Sequence, residues 1–128
     1  DLGLLERELA RFAQQHGLPS RELHVLNLVL DEIVTNVIEH AYDDEAEHAI
    51  RIRLALSGGE LRIEVEDDGR PFDPLASRPP DLDTEPPERR VGGLGLHFVR
   101  RSVDSLEYRR VDERNLLHLR KRIATDQP

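Results

Sequence analysis

Apolar residues recur at helical spacing near the start of the chain, where Leu5, Leu9 and Phe12 form one stripe and Gly17-Leu18-Pro19 ends the run. The spacing predicts an amphipathic helix over 4–16. Ser20 is expected to cap a second, longer helix that continues to about Tyr42. On a helical wheel Leu26, Leu30, Ile33, Val34, Val37 and Ala41 crowd one side. Glu32, Asn36 and Glu39 lie on the other, with Thr35 and His40 at its borders. The pattern then changes to strict alternation. Residues 50–56 alternate, Ser57-Gly58-Gly59-Glu60 turns, and residues 61–66 alternate again, which predicts a β-hairpin. A symmetric turn sets Arg53 opposite Glu64 and Arg51 opposite Glu66 on the outer face. Ile50, Ile52, Leu54, Leu61, Ile63 and Val65 then share the inner one.

Residues 71–87 hold six of the eight prolines, interspersed with acids, and predict a long mobile loop because proline can neither donate to a ladder nor sit inside a helix. A short helix over 94–103 follows, with Leu96, Val99 and Val103 facing inward. A last hairpin joins 106–111 to 116–121 through Asp112-Glu113-Arg114-Asn115. The order ααββ, loop, αββ predicts an α+β domain with helices on one face of a mostly antiparallel sheet.

At 128 residues the chain is expected to form a single domain, 1–128, with a core of Leu, Val and Ile, since it has three Phe, two Tyr and no Trp. Absence of cysteine excludes disulfides, thiolate catalysis and Cys-based zinc sites, and fits a reducing cytoplasm. A net charge of −8 argues against nucleic acid as a partner, because nonspecific binding needs a basic surface to displace counterions. No apolar run approaches the ~20 residues of a membrane span and no secretory signal opens the chain, so no membrane partner is expected.

Candidate chemistry lies in three short segments. Glu32 and Asn36, four apart, stand one helical turn from each other. A carboxylate and a carboxamide so placed can hold a hydroxyl and a Mg²⁺ side by side; the plainer reading is a solvated helix face. Apolar residues around most of the helix, and an asparagine in mid-helix, weigh against the plainer one. Asp67 shares the parity of Leu61, Ile63 and Val65 and so points inward. A buried carboxylate must find donors. The exocyclic amine of an adenine would serve, and so would backbone N–H groups of the Asp68-Gly69 turn. Gly92-Gly93-Leu94-Gly95 precedes a helix, where glycines let backbone approach an anion and the helix N-terminus favours one. No Gly-x-x-x-x-Gly-Lys-[Ser/Thr] loop is present. The six histidines show no metal spacing, and no Ser-His-Asp signature can be assembled.

These segments, in this order, resemble the gyrase, histidine-kinase and MutL ATPase superfamily (the Bergerat ATP-binding fold, a two-layer α/β sandwich) over about residues 4–123. The closest resemblance is to the anti-sigma-factor serine/threonine kinases of the RsbW/SpoIIAB type. The matching boxes are Asp31-Glu32-Ile33-Val34-Thr35-Asn36 through His40-Ala41-Tyr42, then Asp67-Asp68-Gly69-Arg70-Pro71-Phe72-Asp73-Pro74, then Gly92-Gly93-Leu94-Gly95-Leu96. The resemblance implies that Glu32 is the general base and Asn36 the Mg²⁺ ligand. It further implies that Asp67 bonds the adenine amino group and that Gly69 and Phe72 border the base. By the same resemblance 73–91 is the ATP lid, and Gly92, Gly93, Leu94, Gly95 and Leu96 lie at the phosphates. ATP and Mg²⁺ are the implied cofactors. A sigma factor, an anti-sigma-factor antagonist of the STAS type and a second copy of the chain are the implied partners. The chain departs from the family pattern at Pro71, where a second glycine is usual, and at Asn115 or Leu116, where a threonine commonly helps hold adenine. The family's strand ahead of the first helix has no counterpart here, as expected of a piece of a longer chain. Two other readings stay open: a nucleotide-binding module that switches a partner without catalysis, and the ATPase part of a larger regulator or histidine kinase.

Overall fold

A computed structural model describes residues 2–41, 49–74 and 93–123. Two helices, α1 (Leu2–His16) and α2 (Ser20–Asn36), lead through a π-helical segment (Val37–Ala41) to strands β1 (Ile50–Ser57) and β2 (Glu60–Asp67). Helix α3 (Gly93–Ser102) and strands β3 (Ser105–Val111) and β4 (Arg114–Arg122) complete the chain. The strands form one sheet in the order β1-β2-β4-β3, every pairing antiparallel. One core joins Leu9 of α1, Leu30 of α2 and Val99 of α3 to Ile63 and Leu119 of the sheet. The helices therefore share one face, and the expected α+β sandwich is observed.

Local chemistry explains the boundaries. Gly17 adopts φ 69°, which lets the Leu18 N–H reach back to the Ala13 carbonyl at 2.9 Å and buries Leu18 beneath the helix end. Ser20 does not cap α2 as expected. The capping position must be extended, and Pro19 takes it at φ −61°, ψ 152°; its carbonyl accepts the N–H groups of Glu22 and Leu23. Ser20 is already helical. The first turn is anchored instead by Glu22, only 8% exposed, whose Oε2 lies 2.9 Å from Lys121 Nζ on β4. Leu30, with no exposed surface, sits at the centre of the core. Leu30→Ala is expected to cost about 2–5 kcal/mol, the usual penalty for a fully packed leucine, read as a lowered midpoint in urea denaturation.

The first hairpin has the expected register, Arg53 opposite Glu64 and Arg51 opposite Glu66. Gly58 and Gly59, at φ 60° and 76°, form the tight two-residue turn that the twist of an antiparallel ribbon favours. Arg53 pairs with Glu64, while Glu66 takes a 2.9 Å bond from Arg114 across the sheet. The last hairpin turns more tightly than the sequence suggested. Asp112 and Glu113 alone make the turn at positive φ, so Asn115 belongs to β4 rather than to the connection. The proline-rich stretch lies outside the described residues from position 75 onward. Among the described residues no helix is long and apolar enough to cross a membrane.

Candidate functional site

Side chains of α2 and the segment after it, of β2, β3 and β4, and of α3 line a pocket at one end of the core. Its walls are mostly apolar: Ile33, Val37, Val65, Leu96 and Leu117, closed on one side by Phe72 and Pro74. Besides Tyr108 of β3, three polar side chains line it, Asn36 from α2, Asp67 from β2 and Asn115 from β4. These three are 4%, 3% and 4% exposed. An apolar slot with a few fixed polar groups is the usual form of a small-molecule site.

Asp67 points inward, as strand parity demands. Its Oδ1 accepts two bonds at 2.9 Å, from the Gly69 N–H and from Asn115 Nδ2. Thus the backbone turn that the sequence offered as an alternative partner does bind this carboxylate, through one oxygen. Among the described residues no donor reaches Oδ2. Of the two residues at the family's threonine position, Asn115 stands directly opposite Asp67 in the ladder, whereas Leu116 lies opposite Glu66 and Arg109.

The plainer reading of a solvated helix face, which the apolar surroundings weigh against, does not hold at Asn36. Asn36 is buried because that side of α2 faces the pocket rather than water. Its Nδ2 donates to the Glu32 backbone carbonyl at 2.8 Å and lies 3.5 Å from Glu32 Oε2. Its Oδ1 accepts nothing among the described residues. Glu32 is half-buried and is not part of the pocket wall; it reaches the site through Asn36. Gly69 is buried beneath Asp67, Phe72 borders the pocket, and Leu96 lies on its floor. Gly93, Leu94 and Gly95 fall in the first turn of α3, while Gly92 and all of the expected lid except Asp73 and Pro74 lie outside the described residues.

Further contacts tie the loop after β2 in place. His40 stacks on Phe72 with ring centroids 5.0 Å apart and 18° between planes. Arg70 Nε donates to the His40 carbonyl at 2.7 Å, and Arg110 Nη1 to the Gly69 carbonyl at 2.7 Å. Tyr108 and Arg110 were not anticipated from sequence. The signal that finds them is the register of β3 against β4, which a two-residue turn sets and a four-residue turn shifts.

The pocket suits a purine nucleotide. Apolar walls match a base, and a carboxylate at the pocket with one oxygen that takes no donor among the described residues matches an exocyclic amine. Among the described residues no group of three or more His, Cys, Asp or Glu forms a metal cage. Mg²⁺ needs none when it arrives on phosphates, because it then keeps waters and takes one or two protein oxygens. Asn36 Oδ1, which accepts nothing among the described residues, is available as such an oxygen.

Fold and pocket together define an ATPase-type α+β domain without a P-loop. The chain belongs to the histidine kinase-like ATPase domain family, whose model matches residues 1–121. It is 30% identical to the serine/threonine-protein kinase BtrW of Bordetella bronchiseptica, across 92% of this chain and 83% of that protein. Its identity to the serine-protein kinase RsbW of Bacillus velezensis is 27%, across 83% of this chain and 69% of that one. The anti-sigma F factor of Oceanobacillus iheyensis is 30% identical across 77% of this chain and 68% of its own length. Among solved structures, the blue-light activated histidine kinase of Erythrobacter litoralis shares the fold, with TM-score 0.58 and 24% identity over 83% of this chain. The match spans only 32% of that longer kinase chain.

Proposed function

We propose that this protein binds ATP with Mg²⁺ and transfers the γ-phosphoryl group to a serine or threonine of a partner protein. The proposed partner is an anti-sigma-factor antagonist of the STAS type, and the unphosphorylated state of that antagonist governs whether a sigma factor is held. The observation that carries the nucleotide reading is the Asp67 carboxylate, buried at the pocket with one oxygen held and the other without a donor. The names of the relatives, serine kinases and an anti-sigma factor, support the protein substrate and the regulatory setting. A cytoplasmic homodimer is the form proposed.

In this reading Asp67 orients the base and the apolar walls exclude water from it. Asn36 supplies an oxygen to the metal, which when bound neutralises charge across the phosphates. Glu32, one turn from Asn36, orients the attacking hydroxyl and accepts its proton as the O–P bond to the acceptor forms and ADP departs. The glycine N–H groups at the start of α3 are the proposed donors to the phosphates.

Two measurements test this. Saturating ADP with Mg²⁺ at about 100 times Kd is expected to add about 2.7 kcal/mol of stability, seen as a rise of several degrees in Tm. Incubation with γ-labelled ATP and purified STAS-type antagonists is expected to label a serine or threonine. One observation favours a second reading, a nucleotide-responsive switch without catalysis: Glu32 stands back from the pocket wall. A melting shift with no labelling of any antagonist would select that reading.

A further inference from the structure

Asn115 occupies the place where a ligand-contacting side chain is expected, yet its hydrogen-bonding capacity is already filled from within the protein. Nδ2 donates one hydrogen to Asp67 Oδ1 and the other to the Arg70 carbonyl, both at 2.9 Å. Oδ1 accepts from the Tyr108 hydroxyl, from Arg110 Nη1 at 3.2 Å and from the Phe72 N–H at 3.3 Å. The amide orientation is fixed by chemistry: guanidinium and backbone N–H groups only donate, and carboxylate and carbonyl oxygens only accept. An asparagine has two donor hydrogens and two acceptor lone pairs, so nothing is left for a base.

We infer that Asn115 is a positioning residue that sets nucleobase selectivity through Asp67, held in turn by Tyr108 and Arg110. The terminal torsion of an aspartate is broad and nearly two-fold, so a carboxylate on a strand end is not oriented by its backbone. Here two donors grip Oδ1, one from the turn and one from the neighbouring strand, and Oδ2 is left towards the pocket. Arg110 adds a positive charge behind the amide and polarises its N–H towards Asp67. It also bonds the Gly69 carbonyl, so both donors on Oδ1 are braced by the same guanidinium. An oxygen fixed in this way accepts from an exocyclic amine and repels a carbonyl at the same place. Selectivity is thus built into the pocket by the protein's own contacts and needs no second contact to the base. This inference rests on the nucleotide reading of the site.

The test compares ATP with purine riboside triphosphate, which lacks the amino group, by calorimetric titration of the full chain with Mg²⁺. The wild type is expected to prefer ATP about 10- to 100-fold, as for a hydrogen bond to a charged group. In Asn115→Ala the carboxylate keeps a single donor, and the preference is expected to fall to within about threefold. Tyr108→Phe, which keeps the ring and removes one bond to Asn115, is expected to give an intermediate ratio in a protein of near-normal Tm; it stands as the decisive variant should Asn115→Ala not fold. A merely structural role would weaken both ligands equally and leave the ratio at its wild-type value. That result in both variants overturns the inference while leaving the nucleotide reading intact. A wild type that binds neither ligand overturns both.

Discussion

Asp67→Asn is expected to abolish measurable preference for ATP while leaving the fold close to its original stability. The substituted amide can keep its oxygen towards the Gly69 N–H and Asn115 Nδ2, so both buried donors stay satisfied. Its nitrogen then faces the pocket, where an adenine amine would meet a donor instead of an acceptor. Loss of a charge-assisted bond amounts to about 1.5–3 kcal/mol, or roughly 10- to 150-fold in affinity. Inosine triphosphate, which carries a carbonyl where adenine has its amine, is expected to gain relative to ATP. Calorimetric titration with both nucleotides decides the matter, and unchanged ATP affinity would remove Asp67 from the site. Asp67→Ala should behave differently: it strands two buried donors, each at about 1–3 kcal/mol, and lowers Tm as well as affinity.

Glu32→Gln is expected to reduce phosphoryl transfer by about 10²–10⁴-fold, the range for a lost general base. Glutamine preserves the size of the side chain and can still accept from Asn36 Nδ2, which lies 3.5 Å from Oε2. Asn36 therefore stays in place, and the melting shift with ADP and Mg²⁺ should match that of the wild type. Initial rates of label transfer measure the first effect, and the paired melting curves measure the second. Transfer within tenfold of wild type would reassign the base.

Much of this architecture is legible in the sequence because periodicity reports burial directly. The alternation at 61–66 set both the register of the first hairpin and the inward direction of Asp67. The helical stripe of Leu26, Leu30 and Ile33 named the buried side of α2. Periodicity is mute where a polar residue faces a pocket, since Asn36 reads as solvated on a wheel whether its neighbour is water or a cavity. Capping was misread at Ser20 because proline can hold the capping position by its fixed φ without any side-chain bond. The support of Asp67 was hidden for a different reason. It depends on Asn115 belonging to a strand, and a turn of two residues with positive φ at Asp112 and Glu113 gives no glycine to announce it.

The two residues that clasp each other at the pocket, Asp67 and Asn115, are 48 positions apart and enter from the two central strands. Nothing local joins them, so they meet only after both hairpins have docked, a late event in a topology governed by distant pairings. A chain still emerging from the ribosome has no such clasp until β4 is free to pair. If the proposed nucleotide site is right, only molecules with β2 and β4 paired carry it.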